Sequence, residues 1–278
     1  MPAAPSEAEE RQRATQLIEG GAELAAASIG AAVGLIGGPP GAFGGAAAGV
    51  TATRLLRRLG ADIQKRMLAP RQRIRTGAAY AIAAEEISRR LHAGESLRAD
   101  GFFDTRTGGR PAAEELLEGV LHAAADAYEE RKVTHLGKLY AALAFDATTS
   151  RAHANYTIAL AQRLTYRQLA LMAVIWDHDA VPIAKAAAQE EPRKQLLFSE
   201  ELAIEVDELE RLGLVGRGQP GGSPQRGGAT YVDASGVGIT GLTLTGPGKR
   251  LYDLMELHAV PPDARREVTD AFTKGWST

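Results

Sequence analysis

A mainly α-helical chain is what this sequence predicts, with a helical hairpin near its start, an α-helical bundle in the middle and a C-terminal α+β module. Three observations carry the prediction. Hydrophobic residues fill 45% of the 278 positions but aromatics only 5%, so alanine supplies much of the apolar content. Alanine favours helix and buries little surface, which suits close-packed helices better than sheets. From Pro70 to about His178, apolar residues recur at helical spacing. Lastly, Leu24–Thr53 runs thirty residues without a charge, and its glycines fall at intervals of four.

Composition narrows the function classes. A chain of this length accommodates two or three small domains. A net charge of −2 argues against a general nucleic-acid binder. With no cysteine there are no disulfides, no thiolate metal sites and no cysteine nucleophile. Residues 1–23 carry Glu7, Glu9, Glu10, Arg11, Arg13, Glu19 and Glu23. They read as an amphipathic lead-in helix, with Ser6 and Glu9 as a capping box, rather than as a secretory signal.

Within the uncharged run, Gly30, Gly34 and Gly38 form one row and Gly37, Gly41, Gly45 and Gly49 a second. Four-residue spacing aligns each row on a helix face, where a missing side chain lets another backbone approach. Pro39-Pro40 divides the run into two helices, about Leu24–Gly38 and Gly41–Arg54. Each would span roughly 20–22 Å, short of the roughly 30 Å hydrocarbon core. The pattern resembles the glycine-zipper segments of bacterial membrane and pore-forming proteins. That resemblance implies a hairpin that meets lipid conditionally and a chain that forms a homo-oligomer.

A basic stretch follows. Arg54, Arg57, Arg58, Lys65, Arg66, Arg71, Arg73 and Arg75 lie within twenty-two residues, opposed only by Asp62. Cations beside an apolar segment are what anionic lipid headgroups select, each contributing around 1 kcal/mol near such a surface. The same charges suit phosphate contact with nucleic acid, the alternative use of this stripe.

The bundle, residues 54–164 with the stripe included, opens its first regular helix at Pro70, running through Ile74, Ala78, Ile82 and Ile87 to Leu91. Gly94 stops it, and Phe102-Phe103 in the following loop are expected to tuck against the bundle. Pro111 starts a second helix, with Leu116, Leu117, Val120 and Leu121 inward. A third covers Val133–Phe145 and a fourth Arg151–Arg163. Thr165 and Gln168 form a capping box for a fifth, carrying Leu169, Met172, Ile175 and Trp176.

No chemistry-bearing constellation emerges. Glu118 and His122 share an i,i+4 face, but the repeated Glu-x-x-His motifs of a di-metal bundle are absent, as is His-Glu-x-x-His. His135 and His153 read as packed or solvated. No catalytic, cofactor-binding or metal-binding residue is assigned, and no cofactor is expected.

Residues 165–258 resemble a winged-helix domain in their order of elements. Helices Thr165–Asp177 and about Pro182–Ala188 precede a third, opened by Ser199 and closed by Glu210-Arg211-Leu212-Gly213-Leu214-Val215. The glycine-rich Gly216–Gly228, strands Ala229–Asp233 and Gly238–Thr245, and the helix Thr245–His258 follow. Most winged helices place the third helix on DNA. Here that helix carries Glu200, Glu201, Glu205, Asp207, Glu208 and Glu210 against Arg211 alone, which would repel a duplex. The expectation is a protein-interaction module using Glu201, Glu205 and Glu208. Gly246-Pro-Gly-Lys249 is not a phosphate loop, since Thr243 and Arg250 stand where glycine and Ser or Thr are needed. The tail, 259–278, is expected to form a short helix with Phe272 and Trp276 docked.

Together these features lead to an expected function. The chain reads as a non-enzymatic, self-associating, membrane-active protein of the cytoplasm, conditionally associated with the inner membrane. Its hairpin would assemble into a membrane-disrupting oligomer, as in a bacterial toxin or antiviral defence effector, with a regulatory protein as possible partner. The alternative is a soluble nucleic-acid-binding regulator using Arg54–Arg75 and the wing.

Overall fold

A computed structural model describes residues 70–104, 109–176, 196–197, 200–218, 230–232 and 238–273. The lead-in helix, the glycine-spaced hairpin, Arg54–Arg66, the helix expected at Pro182–Ala188 and Trp276 lie outside the described residues. The fold is mainly α. It divides into two compact units between Arg163 and Leu164.

The first unit holds α1 (Pro70–His92), α2 (Ala112–Asp126), α3 (Glu130–Phe145) and α4 (Arg151–Arg163). Helix α1 packs on α3 and α2, and α2 packs on α4. The core is filled by Tyr80 and Ile87 from α1, Leu116, Leu117 and Val120 from α2, Leu136, Leu139, Tyr140 and Leu143 from α3, and Ile158 from α4. Between these stand many buried alanines, among them Ala79, Ala83, Ala84, Ala124, Ala141, Ala144 and Ala161. Small residues bring the helices close, and closest at Gly137. A methyl group there would lie 2.7 Å from the Ala79 carbonyl oxygen and 2.9 Å from Ile82 Cβ. Phe102 and Phe103 are buried, their rings meeting edge to face at 4.9 Å, as the loop sequence leads one to expect.

The last carbonyls of a helix have no partner within it. Neither α2 nor α3 carries a basic residue in its own last turn. Cations from elsewhere in the unit take that role. Arg75 Nη2 donates to the Ala125 carbonyl of α2 at 2.9 Å. Arg98 donates through Nη1 to Leu143 O of α3 at 3.2 Å, and its backbone N–H to Ala144 O at 3.0 Å. Lys132 Nζ donates to Gln162 O of α4 at 2.7 Å. A cation at a helix C-terminus contributes about 0.3–1 kcal/mol, and up to about 2 when partly buried.

The second unit holds α5 (Tyr166–Trp176), β1 (Leu196–Leu197), α6 (Glu200–Arg211), β2 (Val215–Gly218), β3 (Thr230–Val232), β4 (Gly238–Leu244), α7 (Gly246–Leu254), a 3-10 turn (Leu257–Ala259) and α8 (Pro262–Thr273). The strand order is β1-β3-β4-β2. β1 runs parallel to β3, with Leu196 opposite Tyr231, whereas β3–β4 and β4–β2 are antiparallel. The capping box forms as the sequence predicts: Gln168 N–H donates to Thr165 Oγ1 at 3.1 Å, and Thr165 N–H to Gln168 Oε1 at 2.9 Å.

Thr245 locks β4 to the turn after α6. Its N–H donates to Leu214 O at 3.0 Å, its hydroxyl donates to Gly213 O, and the same oxygen accepts from Gly248 N–H at 3.1 Å. The first turn of α7 thereby sits on the Leu214 carbonyl. A methyl group on Gly248 would fall 1.9 Å from that oxygen.

Two predictions follow from these contacts. Gly248→Ala and Gly137→Ala each insert a Cβ into backbone, so each should lower stability by about 1–3 kcal/mol in urea titrations of the full chain. Gly94→Ala is not a fair control because Gly94 has φ 87°; Gly119→Ala, whose Cβ meets Ile158 at an ordinary 3.7 Å, should cost far less.

The other concerns acid. Burial alone would raise the Glu86 carboxyl, but hydrogen bonds and charge from Arg89 and Arg90 outweigh it and hold it down to about 2, from 4.5. A depressed carboxylate stabilises the fold above its unfolded pKa, and that contribution fades as pH falls from about 4.5 towards 2. Because Arg89 is mostly exposed, its share is screened. Glu86→Gln should cost about 1–2 kcal/mol at pH 7 and flatten the loss of thermal stability between pH 4.5 and 2.

Candidate functional site

Three regions bear on function: the basic stretch, the acidic helix and a cleft in the first unit. Of the basic stretch, Arg71, Arg73 and Arg75 fall in the opening turns of α1, which carries no acidic residue in its first turn. A cation in the first turn of a helix, as at Arg71, opposes the helix dipole at a cost of about 0.3–1 kcal/mol. Arg71 lies 3.9 Å from Glu130, both side chains over 70% exposed, an arrangement that contributes little. Arg75 is half-buried and serves the fold through Ala125.

The acidic helix α6 buries Leu202, Val206 and Leu209 and brings Glu201, Glu205 and Glu208 to α5. Arg167 Nε lies 3.2 Å from Glu205 Oε2, an ion pair without hydrogen-bond alignment, and Arg167 Nη1 lies 3.4 Å from Glu201 Oε2. Gln168 Nε2 donates to Glu208 Oε2 at 2.8 Å. All three carboxylates assigned from sequence to a protein partner thus meet α5 of the same unit. Ile204 remains 59% exposed among them.

A cleft of about 320 Å³ opens between the loop after α1 and the starts of α2 and α4. Arg98, Arg110 and Arg151 line it together with Asp100, Asp104, Thr148 and Ser150. Each arginine is already matched. Arg98 grips Asp100 through Nε at 2.9 Å and Nη2 at 2.5 Å, while its guanidinium stacks 4.5 Å over Phe102. That grip holds the Asp100 carboxyl below its usual range. Arg110 donates to Glu118 and Glu114, and Arg151 to Glu115. The hydroxyls are engaged too: Thr148 Oγ1 donates to Asp146, and Ser150 Oγ accepts from His153 N–H. Among the described residues that line the cleft, each arginine and hydroxyl already has a protein partner.

The histidines do not converge. Glu118 turns to Arg110, so the i,i+4 pair with His122 does not form; His122 Nδ1 lies instead 3.0 Å from Asp126. His135 is buried, and His153 packs beside Tyr156 at 6.2 Å. Among the described residues no group of three or more His, Cys, Asp or Glu side chains is placed to hold a metal.

Sequence reasoning passed over Arg98 and Lys132. Both are buried, and desolvation pushes the Lys132 ammonium down to about 8 despite the opposing field of Glu129. Only the Arg-x-Asp spacing of Arg98 and Asp100 beside Phe102-Phe103 gave a local signal. Lys132 meets Gln162 across thirty residues of sequence and gave none.

If the Arg167–Glu205 pair holds α5 to α6, single changes to Gln should not add. A double-mutant cycle in urea is expected to give a coupling of about 1 kcal/mol, modest because both groups retain some solvent contact. Additive single effects would show that the two side chains are merely adjacent.

Beyond geometry, resemblance adds nothing: no protein-family model, no curated protein and no solved structure matches this chain.

Proposed function

We propose that this chain is a self-associating, membrane-active protein without enzymatic activity, whose segment Leu24–Thr53 inserts into or lies on a membrane and assembles into a membrane-disrupting oligomer. The observation that carries the reading is the order of features along the chain. Thirty uncharged residues with two glycine rows lead into eight cations, the last three of which lie near the start of α1. Charge draws the chain to an anionic surface, and apolar surface then inserts. Among the described residues no helix is long and apolar enough to cross a membrane.

The second unit fits a winged-helix module used for protein contact. Its run of α5, α6, β2, β3 and β4 supports that topology, and six carboxylates on α6 favour a protein surface over a duplex. The proposed setting is the cytoplasm with conditional association with the inner membrane, as for a bacterial toxin or antiviral defence effector. That setting rests on analogy of architecture.

Deleting Ala25–Ala52 should abolish dye release from anionic vesicles. Gly34→Leu and Gly45→Leu should each shift the protein to smaller species in light scattering, by blocking close helix approach. Release by the deletion variant at the full-length rate would refute the segment as the active element. Tight duplex-DNA binding, lost when Arg54, Arg57, Arg58 and Lys65 are neutralised, would favour a nucleic-acid regulator instead.

A further inference from the structure

We draw no further inference here: the strongest candidate, the cleft between the loop after α1 and the starts of α2 and α4, has its arginines and hydroxyls engaged by the chain's own groups, and nothing in the structure shows what would occupy it.

Discussion

Helix ends are the constraint on which the first unit is built. Four short helices expose many orphan carbonyls, and these must be satisfied before the helices can be buried side by side. The chain meets the need with cations drawn from other elements: Arg75 for α2, Arg98 for α3 and Lys132 for α4. Each contact is both a cap and a tertiary clamp, since the donor is separated from its carbonyl by thirty to fifty residues. The second unit repeats the device where Arg265 Nη2 donates to His258 O at the 3-10 turn. Helix dipole and tertiary packing thus reinforce one another.

How much of this was legible follows from range. Local chemistry read well: the Thr165–Gln168 capping box and the bounds of α4 depend on residues three or four apart. The burial of Phe102-Phe103 followed from two adjacent aromatics in a polar loop. Long-range pairings were invisible. Nothing in the sequence near Arg75 indicates Ala125, and Gly137 reads as an ordinary weak helix residue until Ala79 and Ile82 are brought against it. The acidic helix shows the same limit. Its charge was evident, but the answering groups, Arg167 and Gln168, come from a helix more than thirty residues earlier.

Arginine plays opposed roles within a few residues on α1. Arg75 is drawn into the fold, Arg71 remains largely in water, and Glu86 further along the helix gathers Arg89 and Arg90 around one carboxylate. A count of charges cannot separate such roles, because composition carries no information on burial. The clustered arginines of the basic stretch are for this reason better described residue by residue than as a uniform stripe. The same holds for the cleft, where Arg98, Arg110 and Arg151 each pair with a neighbouring carboxylate.

The alanine-rich core bears on how the molecule responds to temperature. Alanine brings backbones together while withdrawing little apolar area from water, and the heat-capacity change of unfolding scales with that area. A core in which Ala79, Ala83, Ala84, Ala124, Ala141, Ala144 and Ala161 occupy buried positions therefore unfolds with a smaller heat-capacity increment than a leucine-filled one of equal length. The curve of stability against temperature is correspondingly broad and shallow. Cold weakens such a fold slowly.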